Sequence, residues 1–596
     1  MINSETKENA PNKIKNIFQE SINQGYLVFF ACIIFIIVIF LYNLPNLNSI
    51  FIIDDSFGYW GNAAIIADKP WNSSMADIPY YSFGYSLVLL PLFFILKTSE
   101  QMYKAAILLN IAFVIGSYVC ASFVACKIGK RINKNILYLL SLVSILTPMR
   151  YIYTQTTLCE NYLSFLIWLS VVLLFQIEKK CKVWLYLLEL IVFLMMLLTH
   201  MRTVPVVLIG ASILCIHSLT KKKWFIFGGL IAGIIIILIS FRFFQQYHTE
   251  LVYSYSLASN TNKVNAVSTY EKVLNIIHSG QTDLFNSFLS KLFASMIESF
   301  FLLPIVVIRG LQILFEKNKT EKVGWTSFAF IASSYLIMIM LTSYQCIGYA
   351  RNDLPIYARY FDFIVEPVIL FGLCSLFDFV DRFKYVYGVS VVFSSVFVKF
   401  SLEEASKGVY GFSGITTTLL AGIFEITNKI IHGETFYKFW FAIYDTNVYK
   451  AANIIVKVYL IIFLVFLLII KNKSKKHLIC GLLLILTVSM IIGINLNTKY
   501  TEIRKDYYEK TCNICDIIKR DEGKVYFVDQ TDNGAMGTAE YVQYVLLDRE
   551  VEVVDINGAK SIPRGSWVLS DLALKNYGKP YINEMGLFLY KNNNKD

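Results

Sequence analysis

Two carboxylates stand side by side at Asp54 and Asp55, in the stretch FIIDDSFGYW that follows the first long apolar run. A charged side chain at membrane depth costs about 2.5–3.5 kcal/mol on an insertion scale. Acids at such a boundary therefore mark either a helix end or a site. Three further groups of ionisable residues recur in equivalent places: Arg150 and Glu160 in TPMRYIYTQTTLCENY, His200 and Arg202 in LLTHMRTVP, and Arg351, Asp353, Arg359 and Asp362 in ARNDLPIYARYFDF. Singly, each has an ordinary explanation, because Arg and His at helix ends snorkel and a lone acid caps a helix or pairs with an arginine. Gathered on one face, they have a chemistry. A carboxylate accepts the proton of an attacking hydroxyl, a contribution of roughly 10²–10⁴-fold. Guanidiniums match phosphate oxygens in bidentate fashion and stabilise charge developing on a phosphate leaving group. The combination suits transfer from a phosphate-activated donor.

The elements that must position these groups are membrane helices. The chain has 596 residues, of which 56% are hydrophobic and 16% charged, with 46 Phe and 38 Tyr. Long apolar runs recur along it, which defines an all-α polytopic membrane protein. The formal charge of +11 comes from lysines clustered in short loops between spans, a positive-inside pattern and not a nucleic-acid surface. The first span runs from Tyr26 to about Tyr42 and lacks a small-residue cleavage site, so it is expected to be an uncleaved helix. Later spans are expected near 104–124, 135–149, 161–177, 184–199, 203–219, 224–243, 294–315, 326–345, 363–379, 385–399, 452–470 and 477–495. Phe83–Leu96 is short and interrupted by Gly84 and Pro91. If it crossed, every basic loop would lie opposite the basic N-terminus, so it is expected not to cross, which gives about thirteen spans.

This topology puts residues 1–25 in the cytoplasm and makes 26–495 the membrane domain, with external loops 44–103, 245–293 and 400–450. Asp54, Asp55, Glu160, His200, Arg202, Arg351 and Arg359 then share the extracytoplasmic side. Nucleotide donors are absent there, so the activated donor is expected to be a lipid phosphate. Ser56–Ala67 has an amphipathic pattern that fits a helix lying on the membrane surface. Residues 496–596 have the composition of a soluble α/β domain, also extracytoplasmic, with strands expected at Lys524–Val528, Val551–Ile556, Ser566–Leu569 and Leu587–Tyr590 and a helix at Gly537–Leu547. It carries no Gly-rich phosphate loop and no GxSxG elbow. Of the eleven cysteines, Cys512 and Cys515 form the one suggestive pair; without a second pair they read as a chance spacing or a local disulfide, not a zinc site.

A first helix ending in an acidic pair followed by aromatic and small residues (DDSFGYWGNAA), then an acid just before a later span (TTLCE), then LLTHMR, resembles the GT-C superfamily of integral-membrane glycosyltransferases, which includes protein O-mannosyltransferases and aminoarabinose transferases. The resemblance covers residues 25–245 as an ordered pattern, and NDLPIYARYFDFIVEP is similar to an arginine–tyrosine motif of some bacterial members. It implies a sugar transferred from a polyprenyl-phosphate donor to an acceptor hydroxyl on a cell-surface glycan, teichoic acid-like polymer, lipid or protein, by a single inverting displacement on the outer face of the cell membrane. In that scheme Asp54 is the general base, Asp55 orients it or shares its role, and Glu160 is the second external acid. His200 and Arg202 face the donor phosphate, as do Arg351 and Arg359. Tyr59, Tyr357 and Tyr360 are candidate substrate contacts, and Trp60, Trp71, Tyr80 and Tyr81 are aromatic groups suited to sugar stacking or interfacial anchoring. Asp54, Asp55, Glu160 and His248 are the oxygen and nitrogen groups available to a divalent metal, whose requirement the sequence leaves open. The family pattern often has Asp-Glu where this chain has Asp-Asp, so sugar and subgroup are not implied. The competing readings are a lipid-linked oligosaccharide flippase, which needs charges within the bundle, a polysaccharide polymerase, which needs arginines in large external loops, and a non-catalytic assembly partner.

Overall fold

The computed structural model describes residues 10–50, 53–75, 80–253, 281–315, 324–345, 357–406, 412–413, 440–441, 475–529, 538–584 and 587–592, with isolated positions at 78 and within 457–465; for some of these, Asp54 among them, only the backbone is described. The helices are α1 (Ala10–Leu41), α2 (Ile53–Ile66), α3 (Gly84–Ile95), α4 (Ser99–Ile128), α5 (Lys134–Ile145), α6 (Pro148–Thr154), α7 (Glu160–Lys180), α8 (Val183–Thr199), α9 (Val204–Thr220), α10 (Trp224–Val252), α11 (Gln281–Glu298), α12 (Leu303–Phe315), α13 (Trp325–Gln345), α14 (Val365–Asp378), α15 (Val380–Ser406), α16 (Lys475–Lys519) and α17 (Thr538–Leu546). Among the described residues six helices are long and apolar enough to cross a membrane, or eight if each of two bent pairs is one span. About thirteen were expected; the segment 452–470 falls largely outside the described residues, and α3 and α8 are apolar but short.

The bends come from local chemistry. Between α5 and α6 the chain turns by 65°. Pro148 opens α6, having no N–H to continue α5, and the Thr147 hydroxyl accepts from the Arg150 backbone N–H at 3.3 Å as the new N-cap. Gly84 lies where α3 meets the end of α8, and a Cβ there would come within 2.6 Å of the Thr199 backbone nitrogen. Only glycine allows that approach.

The C-terminal part forms a five-stranded sheet in the order β4-β3-β5-β7-β6, from β3 (Val525–Asp529), β4 (Val551–Asp555), β5 (Trp567–Ser570), β6 (Ile582–Glu584) and β7 (Leu587–Lys591). A two-residue antiparallel pair, β1 (Phe412–Ser413) and β2 (Trp440–Phe441), precedes it in the chain. Strand β3 runs parallel to β4 and β5, with α17 in the crossover from β3 to β4, and β7 is antiparallel to β5 and β6. The four expected strands and the helix are present; β6 is an addition. Alternation sorts the side chains. Phe527, Leu569 and Leu589 join the core that is continuous with the helical bundle, whereas Tyr526, Val528, Val568 and Tyr590 build a small separate core on the other face. Helix α16 leads into this sheet without a break at residues 495–496. Cys512 and Cys515 are both free thiols on it.

Helix α2 does not lie on an open surface. Phe57, Tyr59, Trp60, Ala63 and Ala64 are buried, because α3 covers one side and α17 another. Trp60 meets Tyr544 edge-on at 5.5 Å, and Trp71 stacks on Phe57 at 5.2 Å. The Trp71 indole N–H donates to the Leu547 carbonyl at 2.7 Å, and the Ser74 hydroxyl to Gln543 Oε1 at 3.1 Å. These tryptophans therefore clamp the sheet module to the loop after α2. Trp71→Ala is expected to cost about 3–5 kcal/mol and to free the module, read as a lowered melting temperature in detergent and new proteolytic cleavage between α16 and α17.

Candidate active site

Glu160 is the first residue of α7, where the helix dipole favours an acid, and its side chain is 1% exposed. One of its oxygens, Oε1, receives two guanidiniums: Arg359 Nε at 2.7 Å and Arg202 Nη2 at 3.0 Å. Arg359 Nη1 also pairs with Asp55 Oδ2, and the Tyr81 hydroxyl donates to Asp55 Oδ1. A continuous chain Tyr81–Asp55–Arg359–Glu160–Arg202 thus joins the segment before α3, α2, the turn before α14, α7 and the α8–α9 junction. Five separate stretches of the chain meet at one end of the bundle.

Each arginine is held by its own local structure. Arg202 lies in a 3₁₀ turn, Met201–Thr203, between α8 and α9. His200 Nδ1 accepts the Arg202 backbone N–H at 3.2 Å, and Arg202 Nη1 donates to the Arg359 carbonyl at 3.4 Å. The Arg202 guanidinium covers the Phe363 ring at 5.2 Å. Burial first, and the Arg202 charge next, push the His200 imidazole well below its ordinary pKa. Its contact in this geometry is to the Arg202 backbone. Just past Arg359, Asp362 accepts from the Tyr153 hydroxyl at 2.9 Å, and burial raises its carboxyl to about 7.

The candidate residues divide as follows. Asp55, Glu160, Arg202 and Arg359 come together, with His200 behind Arg202. Asp54 precedes Asp55 on α2, but its side chain lies outside the described residues, as does Arg351 entirely. The Tyr59 hydroxyl donates to Cys159 Sγ at 2.9 Å, next to Glu160, and its ring meets Tyr81 at 5.4 Å. Tyr357 and Tyr360 contact each other at 4.9 Å beside Arg359. Arg150 turns away: it is buried with Glu366 at 3.3 Å and donates to Ser117 at 2.8 Å. His248 is buried among the rings of Tyr80, Phe83 and Tyr253, apart from the acids. Among the described residues no group of three or more His, Cys, Asp and Glu is arranged to hold a metal ion. Between Asp55 and Glu160 the positive charge comes from Arg359.

Three contributors were not singled out from sequence. Cys159 bridges Tyr59 and the edge of Arg202, at 4.0 Å. Tyr153 reaches Asp362 across the bundle. Lys291, fully buried on α11, donates to the Tyr357 carbonyl at 2.5 Å and lies 5.6 Å from that ring. A lysine in FNSFLSKLFASM, flanked by apolar residues at helical spacing, is the signal that marks it.

No protein-family model matches the chain. No curated protein matches it. Among solved structures, the crystal structure of ArnT from Cupriavidus metallidurans bound to undecaprenyl phosphate aligns with a TM-score of 0.51 at 12% identity, over 95% of this chain and 98% of that one. ArnT from the same organism in the apo state aligns with a TM-score of 0.46 at 11% identity, over 97% and 98%. The chain's structural neighbours are thus aminoarabinose transferase structures of the GT-C class, the fold the resemblance implied.

Proposed function

We propose that the protein is a GT-C glycosyltransferase that moves a sugar from a polyprenyl-phosphate donor to an acceptor hydroxyl at the outer membrane face. The observation that carries this reading is the Asp55–Arg359–Glu160–Arg202 network at one end of a bundle with the ArnT fold. It is supported by the aligned ArnT structure, which is bound to undecaprenyl phosphate.

In this mechanism the acceptor oxygen attacks the anomeric carbon as its proton passes to Asp54. The bond from that carbon to the phosphate oxygen breaks with inversion, and the lipid phosphate leaves with the electron pair. Asp55 has both carboxylate oxygens engaged, one by the Tyr81 hydroxyl and the other by the Arg359 guanidinium. It fixes Arg359. Glu160, buried and paired twice, holds both arginines at one spacing so that their remaining N–H groups face the leaving phosphate. His200 keeps Arg202 in its turn, and Tyr59, Tyr357 and Tyr360 frame the sugar.

The buried Arg150–Glu366 pair is a feature that a lipid-linked oligosaccharide flippase would share. The two readings separate in one assay. Purified protein given undecaprenyl-phosphate-linked sugar and candidate acceptors is expected to release undecaprenyl phosphate. Translocation with the sugar–phosphate bond intact would overturn the transferase.

A further inference from the structure

The end of the bundle away from the acid–guanidinium network carries a second cleft. Helix α7 runs 21 residues from Glu160 to Lys180, so the two regions lie about 30 Å apart. The cleft opens between the ends of α4, α7, α9 and α12 and the start of α13, with a volume of about 1100 Å³. That is at the upper end of the range for small-molecule sites.

Its lining is divided by chemistry. Lys127, Lys130, Lys179, Lys180 and Lys221 form the rim, and all five are exposed. Among the described lining residues Glu178 is the acid; it interacts with Lys221 and also accepts from the Gly324 N–H at 2.8 Å, the Thr326 N–H at 3.2 Å and the Thr326 hydroxyl at 3.0 Å, which caps the start of α13. Five lysines thus share the described lining with one carboxylate. Deeper in, the wall is apolar and aromatic, with Phe123, Phe175, Ile216 and Trp325. Phe123 carries the Lys127 ammonium 5.3 Å from its ring centre.

A cationic rim over an apolar wall between membrane helices matches one ligand chemistry, a phosphate headgroup attached to hydrocarbon. We propose that this cleft binds an anionic diacyl phospholipid of the leaflet opposite the active site, its phosphate among the lysines and an acyl chain against Phe123, Ile216 and Trp325. Lysines suit this task because they act as point charges on a phosphate without the fixed fork geometry of arginine. The volume exceeds what a bare phosphate needs, and the apolar wall gives a free anion nothing to contact. The lysines' ordinary role in fixing topology does not require them to line one cleft.

The test uses full-length protein in detergent, followed by native mass spectrometry with added phosphatidylglycerol, phosphatidylcholine, undecaprenyl phosphate or inorganic phosphate. Phosphatidylglycerol is expected to be retained at least tenfold better than phosphatidylcholine. The triple variant Lys127→Gln/Lys180→Gln/Lys221→Gln is expected to weaken retention about fivefold per lysine. The triple variant Lys182→Gln/Lys222→Gln/Lys223→Gln, at the same end but outside the lining, is expected to retain wild-type binding. Ile216→Asn is expected to weaken phosphatidylglycerol but not inorganic phosphate. Equal retention of the two phospholipids overturns the site, as does an equal loss in both lysine variants. Preference for undecaprenyl phosphate overturns the lipid class, and binding of inorganic phosphate as tight as that of phosphatidylglycerol overturns the lipid altogether.

Discussion

Asp54→Asn is expected to lower turnover of polyprenyl-phosphate sugar by roughly 10²–10⁴-fold while leaving donor binding and melting temperature near wild type. The amide keeps the shape and removes the proton acceptor. Asp55→Asn is expected to act differently. It exchanges a carboxylate held by Tyr81 and Arg359 for a neutral group, so the Arg359 guanidinium loses one of its two anchors. Donor affinity should fall along with turnover, and the melting temperature should drop. Steady-state kinetics with calorimetric binding of undecaprenyl phosphate separate the two outcomes. If Asp54→Asn turns over normally while Asp55→Asn is dead with its affinity intact, the two roles are reversed and Asp55 is the base.

The second large effect is expected at Arg359. Its side chain is 12% exposed and it bridges two acids on different helices. Arg359→Met leaves Glu160, 1% exposed, with Arg202 as its remaining ion-pair partner, and a broken buried pair of this kind costs about 3–5 kcal/mol. Arg359→Lys does not restore the bridge, because one ammonium cannot present two divergent N–H groups to Asp55 and Glu160. Loss of a guanidinium from a leaving-phosphate site removes roughly 10²–10³-fold in rate. The double variant Arg359→Met/Glu160→Gln is expected to recover part of the stability and none of the activity, with a coupling of about 0.5–3 kcal/mol. Additive losses in stability would remove the bridge from the account.

Much of this was legible in the chain because membranes impose severe rules. Apolar length names the helices, and the cost of burying charge makes each ionisable residue at a helix end conspicuous. The strands of the sheet module announced themselves through β-branched and aromatic runs such as KVYFV and VEVVDI. What covers α2 was not legible. Its pattern reads as amphipathic, yet the apolar side expected to rest on lipid meets Tyr544 through Trp60, hundreds of residues away in sequence. Local periodicity reports that a face is apolar and not whether a second layer will reach it.

The sequence by itself determined the class of protein, the places where charge surfaces and the identities of the acids and arginines available for chemistry. Only the tertiary structure decided who pairs with whom. Arg150 and Glu160 share one motif, but the bend at Pro148 and the packing of α14 send Arg150 to Glu366. Glu160 takes Arg202 and Arg359 from two other segments. A buried ion pair requires both charges to be desolvated at one point, and that point is fixed by how whole helices pack, which spacing along the chain does not encode. The acidic pair shows the same division. Adjacent and alike in sequence, the two acids give no hint that the fold brings Tyr81 and Arg359 to Asp55 from two other segments.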